Sequence, residues 1–160
     1  MNHKQVKELI QSVLDLLGSK YASNDAVNLM FWTGYVESRY EYIRQLGQGP
    51  AMSFWQIEPD TAVDNIKSYL KYRKPLKKKC ADITFTDPRL WDSEDTSVWS
   101  WILEHNMAAS VIHSRLKYWR SPKPMPGNIQ DAAKIWKDVY NSSKGAGSID
   151  KFIRLISDIN

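Results

Sequence analysis

Apolar residues fall at helical spacing along most of the chain. Val6, Leu9, Ile10, Val13, Leu14 and Leu17 recur at intervals of three and four, with charged and amide side chains between them and Gly18 after them. This predicts an amphipathic helix from about Lys4 to Leu17. Asn24 offers an N-cap for a second helix reaching about Arg44. The segment LGQGPAMSFWQIEP then packs two glycines and two prolines into fourteen residues. That breaks helical periodicity and predicts a small extended or hairpin excursion near residues 46–58. Pro59 suits the first turn of a third helix to about Tyr72. Residues 73–93 read as a connection, basic at first and then polar. A long helix follows from about Thr96 to Tyr118, then a loop over Ser121–Gly127. Asn128 caps a fifth helix to about Asn141, SSKGAGS reads as a turn, and Ser148 starts a last helix. The pattern predicts an all-α domain of about six helices with a minor extended insertion. At 160 residues one domain spanning 1–160 is expected.

Composition sharpens this in three places. Lys and Arg total 22 against 18 Asp and Glu, and six of the basic residues lie in KYRKPLKKK, Lys71–Lys79. The rest of the chain is slightly acidic, so the molecule is a near-neutral domain with one basic patch. Cys80 is the only cysteine, which excludes an internal disulfide and an all-cysteine metal site. Its position after the lysines would lower its pKa, but no partner His is near it in sequence. His3, His105 and His113 are scattered, and the last two are too far apart for an i, i+4 metal pair. No metal and no cofactor are expected. Seven tryptophans are many for this length. They can fill a helical core, or offer flat faces to a sugar or base. The N-terminus reads as an amphipathic helix rather than a signal peptide, and no run approaches the roughly 18 apolar residues of a membrane span. The chain is therefore expected to be made in a cytoplasm without a signal peptide.

Candidate chemistry gathers around Glu37, in FWTGYVESRYEYIRQLG. A carboxyl near a helix end among aromatics is open to desolvation, which raises its pKa and suits a general acid. A solvated surface Glu pairing with Arg44 or Lys20 is the plainer reading. Downstream, the flexible glycine segment leads to Phe54-Trp55-Gln56-Ile57. Gln56 can both donate and accept toward hydroxyl and acetamido groups. Trp55 can stack on a pyranose face, or anchor a structural turn.

The order Glu37-Ser38, a Gly-rich segment, Phe54-Trp55-Gln56-Ile57, Pro59 and Thr61-Ala62 resembles soluble lytic transglycosylases and goose-type lysozymes of the lysozyme-like superfamily. Glu37 and Gln56 are 19 residues apart, a family-like spacing. Asn106, in WILEHNMAASVIHSRL, resembles the Asn that opens the family's next helix, and Tyr140-Asn141 resembles its Tyr-Asn-Ala-Gly block. ESRYEYIRQLGQGPAMSFWQIEP and WKDVYNSSKGAGS are similar to a lysozyme-like group carried by tailed bacteriophages. The resemblance covers about residues 24–155. Ser53 stands where Gly is usual, Trp55 where Met is usual, and Ser142 where Ala follows Tyr-Asn. The lysine run has no counterpart.

The resemblance implies a lysozyme-like fold and cleavage of the β-1,4 bond between N-acetylmuramic acid and N-acetylglucosamine. Glu37 would protonate the glycosidic oxygen, Tyr140 would hydrogen-bond near its carboxyl, and Gln56 would contact the acetamido sugar. Trp55 and Asn141 would line the substrate, with Ser38 and Asn106 in support. Phe54, Trp55 and Tyr140 would exclude water. A water-activating second carboxylate has no matched position, which favours the transglycosylase route. Glu41, Glu58, Asp60 and Asp64 keep the goose-type hydrolase open, with Glu41 expected on the same helix face as Glu37. Partners implied are peptidoglycan strands and other phage virion or lysis proteins. The chain would be a monomer acting on the wall in the periplasm, as an endolysin or virion component. Lys71–Lys79 is expected to be a solvated loop or a surface drawn to anionic groups. A nucleic-acid-binding or structural phage protein without catalysis is the alternative. No helix-turn-helix or finger spacing supports it, and no obligatory nucleic acid is expected.

Overall fold

The computed structural model describes residues 1–141 and 145–160. Helix α1 spans His3–Leu17; the Asn2 side chain accepts from Gln5 N, and Gly18, at φ 143°, closes the helix. One apolar stripe, Val6, Ile10, Val13, Leu14 and Leu17, is buried. Helix α2, Asn24–Ser38, is different. Ser23 caps it, and it is buried on every side from Ala26 to Gly34 except at Asn28. An all-round apolar helix belongs at the centre of a domain.

The second helix was expected to reach Arg44 and stops at Ser38. Arg39 and Tyr40 both adopt left-handed conformations, at φ 53° and 58°. The Ser38 hydroxyl donates to Gly34 O and accepts from Tyr40 N, which fixes the turn. Tyr40 then folds back beneath the helix, where its hydroxyl donates to Phe31 O at 2.7 Å. Gly34 permits this approach, since a Cβ there would lie 2.4 Å from the Tyr40 oxygen. Glu41 consequently lies beyond the helix and does not share a helical face with Glu37.

Over residues 44–57 the extended excursion takes the form of two isolated bridges, Arg44 with Met52 and Met52 with Ile57, without a sheet among the described residues. Ser53 sits at φ 68° and Gln56 at φ 47°, left-handed positions that favour glycine. Helix α3, Pro59–Ser68, starts at its proline as expected but ends before Tyr72, giving way to a 3₁₀ turn at Leu70–Tyr72.

Residues 73–93, expected to be a connection, contain helix α4, Lys74–Thr84. Its apolar face, Cys80, Ala81 and Thr84, packs inward against α1 and helix α6 (Met107–Trp119). The lysines leave on the outer side, so charge density hid a short amphipathic helix. Burial pushes the Cys80 thiol up to about 12, the reverse of the effect expected from neighbouring lysines. A 3₁₀ turn at Pro88–Asp92 then carries Trp91 into the core.

The long helix expected over 96–118 is two helices, α5 (Thr96–His105) and α6. Asn106 divides them in an extended conformation, accepting from Ala109 N and donating to Thr84 O at 2.9 Å. Asn106 therefore opens a helix. Helix α7, Ile129–Ile135, is capped by Asn128 and continues as a π-helical turn over Trp136–Asn141, where a single α-helix was expected. Helix α8, Ile149–Ser157, is capped by Ser148. The expected turn at SSKGAGS lies partly outside the described residues, as does the Ser142 substitution. Eight α-helices among the described residues replace the six expected. The class is all-α. Helices α2 and α6 form the centre, with α1, α4 and α8 packed around them and α3 and α5 paired at one side.

Candidate active site

The last turn of α2, the 45–58 segment, α6, the π-helical turn and the start of α8 enclose a cleft of about 460 Å³. Glu37, Gln56, Tyr140 and Asn141, four of the six residues given the acid or substrate-binding roles, all line it. Glu58 also lines it and brings a second carboxylate into the cleft. Asp60 and Asp64 line an adjoining groove, which shares Thr61 and Lys117 with the cleft. Asp64 is paired there with Arg120 at 2.7 Å.

Glu37 reaches the cleft because α2 ends one residue later. Its Oε1 accepts a 2.8 Å hydrogen bond from Trp136 Nε1, and its backbone carbonyl accepts from the Tyr42 hydroxyl at 2.7 Å. Burial pushes its pKa above the usual carboxylate range. The Trp136 hydrogen bond, then Lys117 and Lys151, oppose that shift. The result is a carboxyl biased toward its protonated form and fixed by one donor.

Tyr140 does not hold Glu37 as expected. Its hydroxyl donates to Trp55 O at 2.7 Å and lies 3.0 Å from Ser114 Oγ, so it ties the π-helical turn to the 45–58 segment. Trp136, one helical turn earlier, holds the acid instead. Trp55 is not a sugar platform. It is fully buried, and its Nε1 donates to Met30 O at 2.9 Å, making it the plug that seats the segment on α2. Phe54 is buried beside it, so neither ring is available to cover a ligand. Ser38 is buried and acts as the helix cap described above. Gln56 donates to Ser53 O at 2.8 Å, which orients its amide at the cleft wall.

Sequence reasoning missed Trp136, Lys117 and Lys151. Lys117 donates to Tyr140 O at 2.8 Å. Burial lowers its pKa, while Glu37 and Glu58 raise it. Lys137 reaches Asn141 Oδ1, Gly145 O and Gly147 O, at 2.9, 2.9 and 2.6 Å, and pins the loop that forms one rim. The signal for Trp136 was present: it lies four residues before Tyr140, on the same side of a helix. Among the described residues, no group of three or more His, Cys, Asp or Glu side chains is placed to hold a metal ion. Among the described residues no helix is long and apolar enough to cross a membrane. No protein-family model, curated protein or solved structure matches the chain.

Proposed function

We propose that the chain is a lysozyme-like, peptidoglycan-cleaving enzyme in which Glu37 is the general acid. The observation that carries this reading is Glu37 itself, a desolvated carboxyl held at 2.8 Å by an indole N–H in a cleft lined by Gln56 and Asn141. The motif order from Glu37 to Tyr140-Asn141 supplies the substrate, the N-acetylmuramic acid–N-acetylglucosamine bond of peptidoglycan. Glu37 gives its proton to the glycosidic oxygen as the bond to the muramyl anomeric carbon breaks. The muramyl 6-hydroxyl then closes onto that carbon and returns its proton to the Glu37 carboxylate, leaving a 1,6-anhydromuramic end. The nucleophile already sits on the reacting sugar, so its approach loses little entropy. A phage endolysin or virion lysin, working as a monomer on the wall, fits this chemistry.

Glu58 favours a second reading, hydrolysis by a goose-type muramidase. It shares the cleft with Glu37, and water activation needs a second carboxylate. One experiment separates the two. Purified peptidoglycan is digested and the released fragments are weighed by mass spectrometry. Anhydromuramic ends are expected, and Glu37→Gln should lower their release by roughly 10²–10⁴-fold. Activity within about threefold of wild type would sink the assignment. Reducing muramic ends that disappear in Glu58→Gln would move the protein to the hydrolase reading.

A further inference from the structure

The basic stretch Lys71–Lys79 takes no part in the Glu37 cleft. It forms one wall of a separate cavity of about 670 Å³, whose other wall is the turn after α1. Lys20, Arg73 and Lys79 line this cavity, and no carboxylate does. Among the described residues none of the three forms an ion pair. Lys77 and Lys78, on the same helix as Lys79, are paired with Asp92 and Asp82. On α4, then, two lysines are compensated and, among the described residues, Lys79 stands unpaired at the hollow and Lys74 unpaired away from it.

Two of those cations are fixed by aromatic faces. The Arg73 guanidinium lies 3.8 Å from the Tyr69 ring centre and donates to Tyr69 O at 2.9 Å. Lys20 Nζ lies 5.3 Å from the Tyr21 ring and 5.4 Å from Trp119. Such contacts hold a cation in place without neutralising it. Behind Tyr21 the buried Arg115 donates from Nε to Tyr21 O at 2.9 Å, while its Nη1 has no partner. It forms no ion pair among the described residues and adds to the positive field. Like charges gathered this way repel one another until an anion enters.

A single carboxylate would leave most of this charge unmatched. A phosphate ester presents several oxygens on one centre and suits a fixed guanidinium fork and two ammonium groups. The same cavity has an apolar side, Leu17 and Leu76, and the largely exposed Tyr72 ring stands at its edge. That side can take a short carbon skeleton. We propose that this cavity binds a glycerophosphate group, either as a free ester or as the headgroup of an anionic phospholipid.

The test uses the full chain and no glycan substrate, so it stands or falls apart from the reading of Glu37. Glycerol 3-phosphate is titrated by calorimetry, and phosphatidylglycerol vesicles are used in co-sedimentation. Saturable binding of the ester alone assigns the free ligand; vesicle binding competed by the ester assigns the headgroup. Lys20→Gln/Lys79→Gln should weaken binding by roughly fivefold per cation, while Lys77→Gln/Lys78→Gln should leave it within about twofold. Equal losses in the two pairs would mean diffuse charge and overturn the site. So would absence of binding at low salt, or preferential binding of short duplex DNA that persists at physiological salt. Should a variant fail to fold, wild-type protein is acetylated with and without the ester. Protection of Lys20 and Lys79 but not Lys78 is expected, and no protection at Lys20 and Lys79 would refute the proposal.

Discussion

Trp136 holds the Glu37 carboxyl with one N–H, and the indole is itself immobilised. Its ring packs 5.3 Å from Phe152, and Gly147 lies so close that a Cβ there would approach it to 2.2 Å. A hydrogen bond to the ionised carboxylate favours ionisation, so removing it should push the Glu37 pKa further up. Trp136→Phe keeps most of the ring and removes the donor. In the proposed reaction the acid would then stay protonated to higher pH, moving the alkaline limb of the pH–rate profile upward. Turnover at neutral pH should fall by up to about 10²-fold through lost positioning. A profile that does not move would assign Trp136 to packing alone. The motif order picked out Glu37, Gln56, Tyr140 and Asn141, which line one cleft. Trp136 takes the acid-holding place expected of Tyr140, and Trp55 is a buried plug rather than a platform, because a side chain's type does not disclose which way it faces.

At the scale of elements, most helix starts were legible and most ends were not. Pro59, Asn128 and Ser148 mark starts through backbone chemistry that a sequence displays. The end of α2 depends on Arg39 and Tyr40, which carry no such signature, and on a tyrosine folding back onto a glycine. Charge masked α4, because its four lysines read as solvated chain while the three buried residues are small. Periodicity alone ran through Asn106, although the motif resemblance already marked it as opening a helix, and it does so by accepting from Ala109 N. The α2 terminus can be tested directly. In Gly34→Ala the new methyl meets the Tyr40 hydroxyl, and overpacking of this kind costs roughly 1–3 kcal/mol. Urea denaturation should show that loss. An unchanged midpoint would mean that the turn carrying Glu37 does not depend on the Tyr40 contact.

For the whole molecule, the buried acid sets a pH dependence of stability. An unfolded Glu titrates near about 4.3, and folding raises that value for Glu37. Between the two values the folded chain holds a proton that the unfolded chain has lost. Stability therefore falls as pH rises through this interval, and the deficit persists above it. Trp136, Lys117 and Lys151 offset part of the cost; Glu58 and Tyr42 lie on the same side of the molecule and do not relieve it. Glu37→Gln should consequently melt higher than wild type at about pH 8, with the gain shrinking toward about pH 4. A difference independent of pH in thermal denaturation would show that ionisation is not the source.

Lys137 links these scales. Its ammonium ties Asn141, Gly145 and Gly147 to the turn that bears Trp136, and Gly147 lies against the indole that holds the carboxyl. The rim and the proton donor are therefore mechanically one piece. In the proposed enzyme, a ligand that displaced this rim would also disturb the indole that holds the Glu37 carboxyl.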